Sequence, residues 1–256
     1  MPRQERAFRT EGIILRRLDF GEADRILTVF TPQHGKLSVI AKGARKLTST
    51  KTGHVELFTR ADMLIHRGRD LSILTQVEMI APYLPIREDL QRGAYANYAM
   101  ELLDRFTSDG EEDQRALFAL VTDTLERLCE DDDPRLVVRY YEMQLLDLVG
   151  FRPELNECVI SREAIIPQNQ FFSYAEGGVV QPNAVLQGTQ LVPISVQTLK
   201  MLRHMQRSPY THVKSLKVTR PLHDDIERIL LGYITHLLEY KLQSVDFIRR
   251  IRQKQN

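Results

Sequence analysis

No apolar run in these 256 residues approaches the roughly 20 needed to span a bilayer. The opening Met1-Pro2-Arg3-Gln4-Glu5-Arg6 leads into no signal-peptide core. A soluble, cytoplasmic protein is the expectation. Cysteine is scarce: Cys129 and Cys158 are the only two, too few for a disulfide framework and not in metal-ligand spacing with one another. Both are expected to be reduced, buried thiols. Repeats and low-complexity stretches are missing too. The 43% hydrophobic content is ordinary for a globular chain, and the length allows two domains.

The usual catalytic constellations are also missing. Gly35-Lys36 follows no Walker-type glycine loop and falls in a strand-to-strand turn, so it should not cradle nucleotide phosphates. His34, His54, His66, His204, His212, His223 and His236 show neither His-Glu-x-x-His nor another tight ligand spacing. No serine occupies a Gly-x-Ser-x-Gly elbow. Two acidic runs remain. Asp131-Asp132-Asp133 reads either as a metal site or, with Pro134 following, as an N-cap before proline at the first helical position. Asp224-Asp225-x-Glu227 reads either as cation ligands or as carboxylates placed in a helix's first turn by the macrodipole. A metal-dependent nuclease built on these carboxylates is one rival reading, and incubation of labelled DNA with Mg²⁺ or Mn²⁺ would reveal it.

What is present begins with five strand-like runs, Ile13 to Leu18, Arg25 to Thr31, Lys36 to Ala41, Leu57 to His66 and Leu71 to Ile80, each rich in β-branched or aliphatic residues. Glycine or proline turns separate the first three and the last two. Five antiparallel strands without a long helix among them fit a small closed barrel. After Pro82 and Pro85 the apolar period changes to 3.6, which marks a domain boundary between residues 81 and 82. Helices are expected from about Glu88 to Phe106, Glu111 to Glu130, Pro134 to Val149 and Ser195 to Arg207, then a long one from near Arg220 and a short terminal one. Residues 151–190, broken by Pro153, Pro167, Gly177-Gly178, Pro182 and Gly188, are expected to be irregular.

The formal charge of +1 conceals segregation. Residues 1–80 hold 14 Lys/Arg against 9 Asp/Glu, residues 81–155 hold 8 against 17, and residues 156–256 hold 13 against 8. Such asymmetry describes either a polyanion surface supplied by both ends, with the acidic centre facing elsewhere, or unequal solvation of helix faces. The loop from Lys42 to Lys51 holds Lys42, Arg45, Lys46 and Lys51 with no carboxylate between them. These cations can neutralise phosphates, Gly43 permits close approach, and Ser49 and Thr50 offer hydroxyl donors. A merely solvated loop is the alternative. Arg67 and Arg69 flank the turn between the fourth and fifth strands, offset in part by Asp70. Phe20, Phe30 and Phe58 are candidate base platforms, of which only Phe20 lies in a turn. In the C-terminal region Lys200, Arg203, Lys214 and Lys217 are the candidate phosphate contacts.

Several stretches together resemble the RecO family of bacterial recombination mediators. They are Glu11-Gly12-Ile13-Ile14-Leu15, Gly21-Glu22-Ala23-Asp24-Arg25-Ile26-Leu27, Thr31-Pro32-Gln33-His34-Gly35-Lys36 and Ala41-Lys42-Gly43-Ala44-Arg45-Lys46. Further on come Arg139-Tyr140-Tyr141-Glu142-x-x-Leu145-Leu146, Gly150-Phe151-x-Pro153 and Lys241-Leu242-x-Ser244-x-x-Phe247. Each motif is weak alone, and their shared order is specific. The resemblance implies an α+β chain: an N-terminal five-stranded OB-fold barrel over residues 1–81, then an α-helical domain over 82–256. It implies binding of single- and double-stranded DNA and annealing of complementary strands without nucleotide hydrolysis. It also implies cooperation with RecR to place RecA on strands coated by single-stranded DNA-binding protein, at the nucleoid. A sequence-nonspecific single-strand-binding OB protein without annealing activity is the alternative, and a barrel that contacts only protein is another. The family's basic barrel loop maps onto Lys42, Arg45 and Lys46. Its contact for the acidic, Phe-ending tail of single-stranded DNA-binding protein maps near Arg139, with Leu136, Tyr140 and Leu146 beside it. An internal salt bridge of Arg139 is the competing reading. Many family members carry a zinc module of two Cys-x-x-Cys pairs in the irregular segment. Here the pairs read Cys158-Val159-Ile160-Ser161 and Gln181-Pro182-Asn183-Ala184. Only Cys158 is retained of four ligands, so a metal-free remnant, degenerate from a zinc ribbon, is expected.

Overall fold

The structure, a computed structural model, describes residues 6–46, 51–69, 71–184, 190–240 and 242–255. It parts into two compact units, Met1–Glu130 and Asp131–Asn256.

In the first unit, β1 (Ala7–Phe20), β2 (Asp24–Thr31), β3 (Gly35–Ala41), β4 (Arg60–His66) and β5 (Ser72–Ala81) close a barrel in the order β1-β2-β3-β5-β4. Four of the five seams are antiparallel, and the barrel closes through a parallel β3–β5 pair at Val39↔Ser72 and Ile40↔Ile73. Strand alternation fixes the interior: Ile14, Leu27, Val29, Val39, Ala61, Met63, Ile65 and Leu74 are all fully buried. β1 is longer than its apolar run because its first half pairs with β4 and its second with β2, with a register irregularity between Ile14 and Arg16. β4 starts later than its hydrophobic run suggests. Phe58 sits at φ 66°, a left-handed conformation that interrupts extended chain, and its N–H donates to the Ile14 carbonyl at 2.9 Å.

Beyond the barrel come α1 (Leu84–Glu88), α2 (Leu90–Phe106) and α3 (Arg115–Glu130). Asp89 divides the first two, accepting the Arg92 N–H at 2.8 Å as the α2 cap. These helices belong compactly with the barrel, so the packing division follows Glu130 and not the change of periodicity at 81/82. Lys36 shows why. Its ammonium donates to the Asp104 carbonyl at 2.9 Å, the Asp104 carboxylate at 3.1 Å and the Thr107 carbonyl at 2.8 Å. A side chain at Gly35 would come within 2.1 Å of the Glu111 carbonyl, so the β2–β3 turn seats directly on this segment.

The second unit holds α4 (Pro134–Leu148), α5 (Val196–Arg207), the short α6 (Tyr210–Val213), α7 (Arg220–Leu238) and α8 (Gln243–Gln255). Its supposedly irregular stretch contains two strands, β6 (Gln170–Ser173) and β7 (Gly178–Val180), which join β8 (Leu191–Ile194) just beyond it in a three-stranded antiparallel sheet ordered β7-β6-β8. Asp133 caps α4 by accepting the Leu136 N–H at 3.0 Å, with Pro134 at the first helical position.

Candidate nucleic-acid interface

The β1–β2 hairpin turns at Gly21, φ 57°, and leaves the Phe20 ring 49% exposed. The segment after β3 winds back onto this hairpin through two successive turns, with Gly43 at φ 67°. The Gly43 N–H donates to the Asp24 carboxylate at 2.7 Å, the Arg45 N–H to the Ala23 carbonyl at 2.9 Å, and the Arg45 guanidinium to the Gly21 carbonyl at 3.1 Å. Ala44 is buried as the anchor, while Lys42, Arg45 and Lys46 are exposed. Local hydrogen bonding therefore brings three cations and one aromatic ring together at one end of the barrel, which is the equipment for gripping phosphates beside an unpaired base.

The other barrel candidates divide. Lys51 is half-buried, burial lowers its pKa, and its ammonium donates to the Leu74 carbonyl at 2.9 Å. Ser49, Thr50 and Asp70 lie outside the described residues. Arg67 lies over the Phe8 ring at 4.9 Å, with the His34 ring 4.3 Å from Phe8 on centroids, so it is exposed yet shaped by a stack. Arg69 is exposed. Phe30 and Phe58 are core and offer no platform.

In the second unit Lys200 and Lys217 are exposed, and Lys214 lies 3.6 Å from Asp131. Arg203 is turned inward, donating from Nε to the Leu155 carbonyl at 2.8 Å; it ties α5 to the start of the sheet segment. The partner-tail residues depart from the sequence reading. Arg139 is 3% exposed and pairs with Glu142 at 3.0 Å, while Leu136, Tyr140 and Leu146 are buried. These side chains form the inner face of α4, and the internal salt bridge is the arrangement present. Near it, burial would raise the Glu227 pKa, but Arg139, Arg252 and Arg135 outweigh that and hold it below the ordinary carboxylate value.

The acidic runs have structural partners. Asp133 is the α4 cap and Asp131 accepts the Tyr210 hydroxyl at 2.9 Å. Asp224 accepts from Arg135 at 2.7 Å and Asp225 from Arg228 at 3.1 Å. Among the described residues no group of three His, Cys, Asp or Glu side chains is disposed to share a metal ion. The zinc-ribbon positions do not fit zinc either. The Cys158 sulfur accepts the N–H groups of Ser161 and Gln181, each at 3.4 Å, and Ser161, Gln181 and Ala184 supply no further thiolate. Burial would push the thiol pKa up, but the bonds from Ser161, Gln181 and Ile160 outweigh it and lower the value.

Residues 6–83 match the family model described as Recombination protein O N terminal, and residues 87–246 match Recombination protein O C terminal. A DNA repair protein RecO of Roseiflexus sp. (strain RS-1) is 37% identical over 250 residues, covering 98% of this chain and 88% of the relative. A DNA repair protein RecO of Dehalococcoides mccartyi is 35% identical over 246 residues, with 96% of each chain covered. One of Symbiobacterium thermophilum is 31% identical over 248 residues, covering 96% of this chain and 98% of the relative.

Proposed function

Because the chain belongs to the RecO family of DNA repair and recombination mediators, we propose that it binds single- and double-stranded DNA at its barrel and anneals complementary strands. With RecR, it helps load RecA onto strands coated by single-stranded DNA-binding protein. The supporting observation is the exposed group of Lys42, Arg45 and Lys46, fastened by backbone hydrogen bonds beside the exposed Phe20. Phosphate contacts neutralise the repulsion between two backbones and leave base edges free to pair. No bond is made or broken in this scheme, so no catalytic residue is required. RecR, RecA and single-stranded DNA-binding protein enter through family membership, as does work at the nucleoid. Among the described residues no helix is long and apolar enough to cross a membrane.

The deciding measurement is DNA binding across salt for the wild type and for Lys42→Ala/Arg45→Ala/Lys46→Ala, with circular dichroism as the check on folding. Removing three phosphate contacts should weaken binding and flatten the log-log salt slope by about 2. No binding at low salt, or an unchanged slope in the triple variant, removes this reading. Mixing complementary strands then separates annealing from the alternative of a nonspecific single-strand binder: binding without faster duplex formation selects the latter.

Residues 151–190 are proposed to hold together without zinc, through packing and the Cys158 sulfur's N–H partners. Elemental analysis of the purified protein should find zinc far below one per chain, and a stoichiometric value overturns the proposal.

A further inference from the structure

The β1–β2 hairpin carries its inward register past the end of the apolar core. Arg17 pairs with Leu27 and Asp19 with Arg25 across the two strands, so charged groups occupy the face that Leu27 and Val39 fill deeper in the barrel. There the Arg17 guanidinium donates to Glu56. Arg25 donates to Glu56 and to Asp19, each at 3.1 Å. Arg45 reaches the same Asp19 at 3.5 Å from the loop after β3. Arg87 donates to the Leu57 carbonyl at 3.2 Å, one residue past Glu56. Three arginines thus share two carboxylates, with Arg87 engaged on the neighbouring backbone. Burial and then the neighbouring Arg25, with Arg87 in support, lower the Arg17 pKa. Guanidinium groups do not deprotonate in proteins, so only additional anionic charge can balance the excess.

We propose that Arg17, Arg25 and Arg45 form a phosphodiester-binding cluster held in reserve by Glu56 and Asp19, whose carboxylates occupy the arginines until a nucleic-acid strand displaces them. Carboxylate and phosphate present the same paired oxygens to a guanidinium fork, which makes the exchange geometrically direct. Partly solvated ion pairs of this kind are weak, so their loss is a small opposing term. Arg25 is only 15% exposed on its side chain, and Glu56 has to swing away before a phosphate reaches it. The cluster adjoins Arg45's own loop, so it extends the grip of Lys42 and Lys46 inward over the barrel end. This inference rests on the DNA-binding reading above.

The test is binding of a fluorescent single-stranded oligonucleotide across salt by the full chain carrying Glu56→Gln or Asp19→Asn. Each should bind about 3- to 10-fold tighter at low salt, because the arginines no longer have to be freed from a carboxylate before they meet phosphate. Glu78→Gln, an exposed carboxylate on β5, controls for general charge and should produce a smaller gain. The gain from Glu56→Gln should shrink in Glu56→Gln/Arg17→Ala and vanish when Arg25→Ala is added, because Glu56 pairs with both arginines. An affinity unchanged by Glu56→Gln, or a gain matched by Glu78→Gln, overturns the proposal. Should Glu56→Gln unfold the chain, the more exposed Asp19→Asn carries the same prediction with the same two outcomes. Absence of wild-type binding at low salt rejects the DNA-binding reading itself, whereas wild-type binding with indifferent Glu56→Gln rejects only the reserve cluster.

Discussion

At Asp133 a single residue performs two jobs that the sequence showed only in part. The Asp-Pro pair gave away the cap, but nothing local pointed to His223, whose Nε2 lies 2.9 Å from the Asp133 carboxylate across some ninety residues of chain. Burial would raise the Asp133 pKa; the bonds from His223 and the Leu136 N–H outweigh it and depress the value. A carboxyl depressed in the folded state contributes stability that is fully present above its unfolded pKa of about 3.9 and is lost as pH falls through the folded value. Asp133→Asn keeps the cap, since Asn and Asp cap equally well, but removes this titration. Denaturation midpoints measured from pH 7 down to pH 3 should therefore fall less in Asp133→Asn than in wild type below about pH 4. Asp133→Ala should lose about 1 kcal/mol or more at pH 7 through the cap. An identical acid limb in Asp133→Asn would count against the assignment. Arg139 teaches the converse: an arginine among apolar neighbours reads as a ligand contact or an internal pair with equal ease. Only burial, set by what packs against α4, distinguishes them.

At the scale of elements, the barrel strands were legible because alternating burial is a local code. The three-stranded sheet of β6, β7 and β8 was not, because strands of three or four residues between glycines and prolines carry too few positions for any period. Its attachment is still less local. Tyr174, just past β6, donates its hydroxyl to the Arg228 carbonyl of α7 at 3.0 Å, and its ring stacks obliquely on Phe172 with centroids 5.8 Å apart. This approach depends on Gly232. A side chain there would lie 2.2 Å from the Tyr174 hydroxyl oxygen, so the glycine in mid-helix makes room for the ring. Gly232→Ala should destabilise by about 1–3 kcal/mol as the ring is displaced. In a Tyr174→Ala background the same change should stabilise by up to about 1 kcal/mol, because alanine is the better helix former once the obstacle is gone. Urea midpoints of the four proteins in this cycle supply the check, and absence of the sign reversal would reject the interlock.

Across the whole molecule, charge segregation was visible in the sequence but its target was not. The acidic centre does not simply face away from the basic barrel. Asp104 takes hydrogen bonds from Arg16 and Lys36, Asp109 lies 3.6 Å from Lys36, and Glu126 reaches within 4.0 Å of Arg60. Part of the apparent surplus on residues 1–80 is thus neutralised within the first unit, while Lys42, Arg45 and Lys46 remain exposed on the loop after β3. The change of apolar period at residue 81 marks where strands give way to helices, while compactness is decided by pairings such as Lys36 with Asp104 and Thr107, which no local pattern encodes. A fragment of residues 1–130 should therefore unfold as one cooperative transition. A fragment ending at Ala81 forfeits the three acceptors of the Lys36 ammonium and the contacts of β1 with α2 and of β2 with α3. Hydrogen bonds to a charged group contribute about 1.5–3 kcal/mol each, and 1 kcal/mol moves the midpoint of a domain this size by about 4–8 °C. The shorter fragment should melt about 10 °C or more below the longer one, or without a cooperative transition, when both are followed by circular dichroism. Equal midpoints would show that the barrel stands alone.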